Sequence, residues 1–182
     1  MMRPAVFLDR DGVINRAFVS NGRPYPPASL QNLEILPRVP EALSALKAHG
    51  YSLVVVTNQP DVARGTSSLE LVDSIHERLK RELDLDAILA CFHDDADECD
   101  CRKPKPGLLF RAAADLGIEL SSSFMVGDRW RDVEAGKRAG CRTCFIDCGY
   151  DERPPGSCDF RVGSLIEASG IILAQRILDD FT

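Results

Sequence analysis

No stretch of this sequence approaches the roughly 20 consecutive apolar residues that a membrane-spanning helix needs. The first apolar run is broken by Asp9, Arg10 and Asp11, too early for the apolar core of a signal peptide. A cytoplasmic protein with no membrane partner is the expectation. An excess of positive charge is missing too: 22 Lys and Arg face 28 Asp and Glu, for a net charge of −6. That argues against a nucleic-acid partner, which calls for a basic face toward phosphates. A small anionic substrate stays open, because a bound metal ion and a few local cations can override the global sign. Internal repeats and low-complexity tracts are absent. An even cysteine complement is also absent. There are seven cysteines, and Cys91, Cys99 and Cys101 crowd with His93 into one short segment. For a cytosolic chain that crowding points to a metal site more than to a disulfide framework. Cys141, Cys144, Cys148 and Cys158 are scattered and read as core or surface thiols.

What is present fits one compact domain over residues 1–182, with 45% hydrophobic residues for a core. Ala5 to Leu8 is a short apolar strand. Residues 16–37 carry Asn21, Gly22, Pro24, Pro26 and Pro27 and read as a loop with little regular structure. A helix over Val39 to His49 stops at Gly50. Ser52 to Val56 reads as a buried strand, Ser68 to Leu83 as an amphipathic helix, and Ala87 to Phe92 as a third strand. Residues 93–107 form a polar, cysteine-bearing loop. Helices over Leu108 to Leu116 and Arg131 to Ala139 end at Gly117 and Gly140. Strands are expected at Ser123 to Val126, Thr143 to Ile146 and, on an edge, Phe160 to Val162. A last helix covers Ser164 to Leu178. Alternating strands and helices imply an α/β, Rossmann-like, three-layer domain around a mostly parallel sheet. In such sheets ligands sit beyond the carboxyl ends of the strands.

The chemistry-bearing residues fall at those ends. Asp9 and Asp11 follow the first strand. One such carboxylate can attack phosphorus, both can help hold a divalent cation, and the second can shuttle a proton. An Asp-Gly turn at a strand end is also common. Thr57 and Asn58 offer a hydroxyl and an amide to phosphoryl oxygens, although an Asn can equally cap a helix. Arg102 and Lys103 place two cations before a helix; most short basic runs are simply solvated. Asp128 is placed to complete an oxygen-ligand magnesium site. Asp132 reads either as a group supporting that site or as a first-turn helix charge.

Four such motifs in this order resemble the haloacid dehalogenase superfamily of phosphatases. FLDRDGVIN matches its first motif, VTN its second, RKPKPG its third and VGDRWRDVEAG its fourth. Within it, LDRDGVIN, TNQ with the following Ala63-Arg64-Gly65, and a cysteine loop running into CRKPKPG are similar to the branch of heptose-bisphosphate and histidinol-phosphate phosphatases. The resemblance implies a small phosphorylated substrate, most of all a heptose bisphosphate; a monomer is the separate expectation. It implies Asp9 as nucleophile, Asp11 as acid and base, and Thr57 and Lys103 on the phosphoryl oxygens. Asn58, Arg102 and Arg129 would contact substrate. Mg²⁺ would be held by the Asp9 carboxylate, the Asp11 backbone carbonyl and Asp128. Cys91, His93, Cys99 and Cys101 form a closed tetrahedral set for Zn²⁺, stabilising the loop 91–101 that presents Arg102 and Lys103.

No long insertion separates the motifs, so no large cap domain is expected. Three loops would then shape the pocket: residues 16–37, residues 59–67 and the zinc loop. Three places differ from the family pattern, all in substrate-contacting regions. Pro60-Asp61 stands where Ser-Gly is usual, Arg129 where Lys is frequent, and the 16–37 loop has its own sequence. Rival readings are histidinol phosphate or another sugar phosphate, a DNA 3′-phosphatase, a receiver-type signalling domain and a zinc-stabilised binding module. The acidic chain argues against the DNA enzyme. Asp11 argues against the receiver, whose aspartyl-phosphate must last.

Overall fold

The structure, a computed structural model, describes residues 2–179. In chain order the strands are β1 (Ala5–Leu8), β2 (Phe18–Ser20), β3 (Arg23–Tyr25), β4 (Ser52–Asn58), β5 (Ala87–Cys91), β6 (Phe124–Gly127), β7 (Arg142–Ile146) and β8 (Phe160–Val162). The α-helices are α1 (Val39–Ala48), α2 (Leu69–Glu82), α3 (Gly107–Leu116), α4 (Trp130–Ala139) and α5 (Leu165–Asp179). Six strands pair in parallel in the order β5-β4-β1-β6-β7-β8.

Successive side chains of a strand point to opposite faces, and here both faces are covered. Val6, Leu8, Leu53, Val55, Phe124 and Val126 pack with α1, α2 and α5. Ala5, Phe7, Val54, Val56 and Met125 pack with α3 and α4. That is why SLVVV reads as an unbroken apolar run instead of an alternating one. Each of these large side chains, removed from water, contributes about 1.5–3 kcal/mol. The result is the expected three-layer α/β architecture.

The connection between β1 and α1 departs from expectation. Residues 16–37 were expected to lack regular structure, yet they hold the antiparallel pair β2–β3 and a 3₁₀ turn at Leu30–Asn32. Asn21 and Gly22 both have positive φ, 49° and 72°, as a two-residue hairpin turn requires. The Asn-Gly signal is in the sequence, but three nearby prolines obscure it. Pro24 is tolerated because the pair is isolated from the main sheet and one edge needs no donor. Among the described residues this segment adds only the hairpin and turns, so no large cap domain covers the strand ends. Element boundaries otherwise agree to within two residues. β4 runs on to Asn58, so Thr57 and Asn58 close that strand instead of following it.

β1 is first in sequence yet central in the sheet, flanked by β4 and β6. The chain builds outward on one side through β5, then returns to build the other side. The carboxyl ends of β4, β1 and β6 therefore meet at the switch point, where a crevice opens.

Candidate active site

Asp9 stands immediately beyond β1, its backbone N–H still donating to the Val126 carbonyl of β6 at 3.0 Å. Its carboxylate meets the Lys103 ammonium, Nζ to Oδ1 at 2.7 Å. Lys103 is 2% exposed and spends its other hydrogens on the Val56 carbonyl and Asp132 Oδ1, each at 2.7 Å. Three donors and three acceptors fix this cation completely. Asn58 holds its backbone from both sides: Nδ2 donates to the Lys103 carbonyl at 3.0 Å, and Oδ1 accepts from the Lys103 N–H at 3.1 Å.

Asp132 resolves the choice that the sequence left open by doing both jobs. Its Oδ2 accepts from the Arg129 N–H at 3.0 Å, closing the first turn of α4, while Oδ1 takes Lys103. Asp9, Asp128 and Asp132 each bring a carboxylate oxygen within 4.8 Å of the others, all three buried. One ammonium balances only part of that charge. Burial raises the Asp9 carboxyl to about 6; Lys103 pulls against this, and Asp132 adds to it. Burial, then Asp9 and Asp132, push Asp128 well above the carboxylate range.

No hydrogen bond of ordinary geometry reaches either buried oxygen of Asp128, although the Tyr150 hydroxyl acts on its charge from nearby. Gly12, at φ 91°, lies so close that a Cβ there would fall 1.9 Å from Asp128 Oδ2. The backbone is thus pressed against an unsatisfied carboxylate in an all-oxygen cluster. Those features fit a hard divalent cation such as Mg²⁺, with Asp9 and Asp128 as carboxylate donors.

Asp11 is turned to a different set of partners. Arg10 donates to it from Nε and from Nη2, the latter at 2.9 Å. Asn15 Nδ2 and Gln59 Nε2 add bonds of 2.9 Å each. Burial works to raise the Asp11 pKa, but the Arg10 charge and these donors outweigh it and hold the carboxyl below its usual value. Gln59 also donates to Thr57 Oγ1 at 2.9 Å, which links Asp11 to the buried end of β4.

Above this floor lies a cavity of about 540 Å³. Asp9, Asp11, Thr57, Asn58, Lys103 and Arg129 all reach it, as expected. Arg102 does not. It is drawn to Asp95 (2.8 Å) and the His93 carbonyl, within the cysteine loop. That loop was expected to shape the pocket, but it enters the wall only through Lys103. The third wall is instead the segment after β7, through Asp151, Glu152 and Arg153. This segment is tied to the β2–β3 hairpin by the Asp151 N–H on the Gly22 carbonyl at 2.8 Å.

Arg23, Arg64, Arg131, Arg153 and Trp130 were not named as site residues from the sequence, although Arg64 and Arg131 lie in family motifs; all five line the cavity with Arg129. Arg153 stacks over the Trp130 ring at 3.6 Å and Arg131 at 4.7 Å. Arg129 pairs with Glu152, and Arg64 with Asp94. Arg23, Arg64 and Arg153 come from three separate segments, and Arg131 shares the start of α4 with Arg129.

The cysteine cluster is equally well formed. The Sγ atoms of Cys91, Cys99 and Cys101 stand 3.2–3.7 Å apart, and His93 Nδ1 lies 3.3 Å from Cys101. A disulfide needs about 2.05 Å. A tetrahedral zinc with bonds of about 2.3 Å separates its sulfurs by roughly 3.8 Å. The spacing therefore fits a shared metal, and all seven cysteines are free.

The comparisons agree with this geometry. The family model of haloacid dehalogenase-like hydrolases matches residues 26–140. The D-glycero-beta-D-manno-heptose-1,7-bisphosphate 7-phosphatase of Pasteurella multocida is 42% identical over 156 residues, covering 80% of this chain and 82% of that one. The enzyme of the same name from Vibrio cholerae is 37% identical over 98% of this chain and 92% of its own. Among solved structures, the D,D-heptose 1,7-bisphosphate phosphatase from B. bronchiseptica, complexed with magnesium and phosphate, superposes with a TM-score of 0.81. It is 28% identical and covers 94% of this chain and 99% of that one. No helix of the described residues is long and apolar enough to cross a membrane. With its parallel sheet, its carboxylate-lined crevice and these relatives, the chain belongs to the haloacid dehalogenase-like hydrolases and is a phosphoric monoester hydrolase.

Proposed function

We propose that the chain removes the 7-phosphate of D-glycero-D-manno-heptose 1,7-bisphosphate through an aspartyl-phosphate at Asp9, with Mg²⁺ required. The observation that carries the reading is the Asp9 carboxylate at the pocket floor, braced by Lys103 beside the unsatisfied Asp128. The relatives' names support the substrate. So do five arginines that line the cavity, which suit a second phosphate better than the cationic side chain of histidinol phosphate.

In this reading Asp9 Oδ1 stays on Lys103 while the other oxygen attacks phosphorus in line. Asp11 is ionised at rest, so it first takes a proton from the bound phosphate monoester. The bond from phosphorus to the sugar oxygen then breaks as Asp11 delivers that proton to the oxygen. Water then attacks the aspartyl-phosphate. Asp11 takes its proton, and phosphate leaves with Asp9 restored. Thr57 faces the phosphoryl oxygens, Lys103 acts on them through its charge while its hydrogens stay on Asp9, Val56 and Asp132, and Asn58 keeps Lys103 in register. Mg²⁺, when held by Asp9, Asp128 and the Asp11 carbonyl, supplies positive charge against those oxygens. Zn²⁺ in the cysteine set has a structural role. One domain over residues 1–182, monomeric and cytoplasmic, is the acting unit.

The test is phosphate release over a panel: both anomers of the heptose bisphosphate, histidinol phosphate and a sugar monophosphate, with Mg²⁺ and with chelator. The heptose bisphosphate should lead by at least about tenfold in kcat/KM, a discrimination of roughly 1.4 kcal/mol. A lead by histidinol phosphate would replace the substrate assignment.

A second expectation concerns pH. Without a divalent cation Asp9 has a folded pKa of about 6, above its ordinary 3.8. Its stabilising contribution is then full below about pH 4 and is lost as pH rises through 6, on the order of 3 kcal/mol. A cation takes the place of the proton. Added Mg²⁺ should therefore raise Tm strongly near pH 8 and barely near pH 5. Equal shifts at both pH values would contradict this account of the carboxylate cluster.

A further inference from the structure

We infer that His76, through Arg10, sets the position of the Asp11 carboxylate, and so is a positioning residue for phosphoryl transfer. The inference rests on the reading of Asp11 as acid and base given above.

Arg10 lies between the two aspartates in sequence and is fully buried, 0% exposed. A buried guanidinium costs several kcal/mol unless its hydrogens find acceptors. Two of its nitrogens, Nε and Nη2, are used on Asp11. The third, Nη1, lies 3.1 Å from Nε2 of His76. Arginine has no acceptor to offer, so the imidazole must accept. That assigns the His76 proton to Nδ1 and makes the ring neutral. The environment agrees: burial first, then the Arg10 charge, lower its pKa to about 4.

His76 sits on the buried face of α2, 8% exposed. An ordinary core histidine needs only some partner for its polar atoms. This one takes the single guanidinium nitrogen that Asp11 leaves over. The planar fork is thus held at both ends, by the ring at one and by the carboxylate at the other. Asn15 and Gln59 complete the bracket around Asp11. Removing the ring's acceptor leaves Nη1 unsatisfied and frees the fork to rotate, and the carboxylate moves with it. A proton donor displaced by about 1 Å loses on the order of 10²-fold in rate.

Leaving-group dependence separates positioning from simple support. A sugar alkoxide must receive a proton as it departs, whereas p-nitrophenolate is stable without one. The measurement is the single-turnover rate of leaving-group release, for the sugar phosphate and for p-nitrophenyl phosphate. His76→Leu should lose about 30–100-fold on the sugar phosphate and less than about threefold on the aryl ester. His76→Gln, whose amide oxygen can accept from Nη1, should recover most of the loss. Arg10→Lys, which keeps the charge but not the fork, should show the same selective loss. It serves as the second variant if His76→Leu fails to fold.

Equal losses on both esters, or no loss, in the variants that fold would overturn the inference. Asp9→Asn and Asp11→Asn serve as references. If Asp9→Asn turns over normally, the proposed mechanism itself fails. If Asp9→Asn is inactive and Asp11→Asn shows the selective loss while the His76 and Arg10 variants do not, only the positioning role fails.

Discussion

Asp9→Asn is expected to lower turnover by about four to six orders of magnitude while leaving the fold intact, the scale seen when a covalent nucleophile is removed. The amide is isosteric but cannot form the aspartyl-phosphate. Stability should hold or rise. The substitution gives up one contact with Lys103, yet it removes a carboxylate whose pKa burial and Asp132 already raise to about 6. In chelator at neutral pH, the variant's Tm should match or exceed that of the parent protein. Phosphate release gives the first number and thermal denaturation the second. Near-normal turnover would sink the mechanism. A large drop in Tm would show that the Lys103 contact outweighs the repulsion around it.

Loss of the cysteine cluster should act on the same site from a distance. Cys101→Ala removes one of four ligand atoms, and only Arg102 separates Cys101 from Lys103. Without a metal the loop rests largely on surface pairs, Arg64 with Asp94 and Arg102 with Asp95, each worth about 0–1 kcal/mol. A structural zinc contributes far more. The variant should fall about 10²-fold in kcat, comparable to losing one oxyanion donor. The sheet should persist, because the two apolar layers do not depend on the loop. Activity, bound zinc per chain and far-ultraviolet dichroism are the three measurements. Unchanged activity in a zinc-free variant would separate the cluster from Lys103.

The sequence was most legible where one residue type does one job at a strand end. Asp9, Thr57 and Asp128 could be named because plain apolar strands run into them, and Lys103 because its basic run stands among acidic neighbours in the loop before α3. The cysteine set was legible from spacing and family resemblance together, since three thiols and one imidazole within eleven positions (residues 91–101) have few other uses. Arg23, Arg64, Arg131 and Arg153 were not legible as parts of one site, although Arg64 and Arg131 lie in family motifs. Each lies on a different loop or helix start, and only the folded chain brings them around one cavity. Asn58 was read as a substrate contact, but both ends of its amide hold the Lys103 backbone. His76 looked like one more inward position on an amphipathic helix. Its partner is 66 residues away, and no periodicity encodes that.

The three contacts of Lys103 have a consequence for synthesis on the ribosome. They join residues after β1, in β4 and on α4, so the lysine cannot be seated until Asp132 exists. β1 emerges first but waits for β4 and then β6 before it has both neighbours. A nascent chain halted before α4 carries Asp9, Lys103 and Asp128 but lacks Asp132. Prematurely terminated products are therefore expected to be silent toward phosphate esters, activity arriving only once α4 has docked and Asp132 holds Lys103.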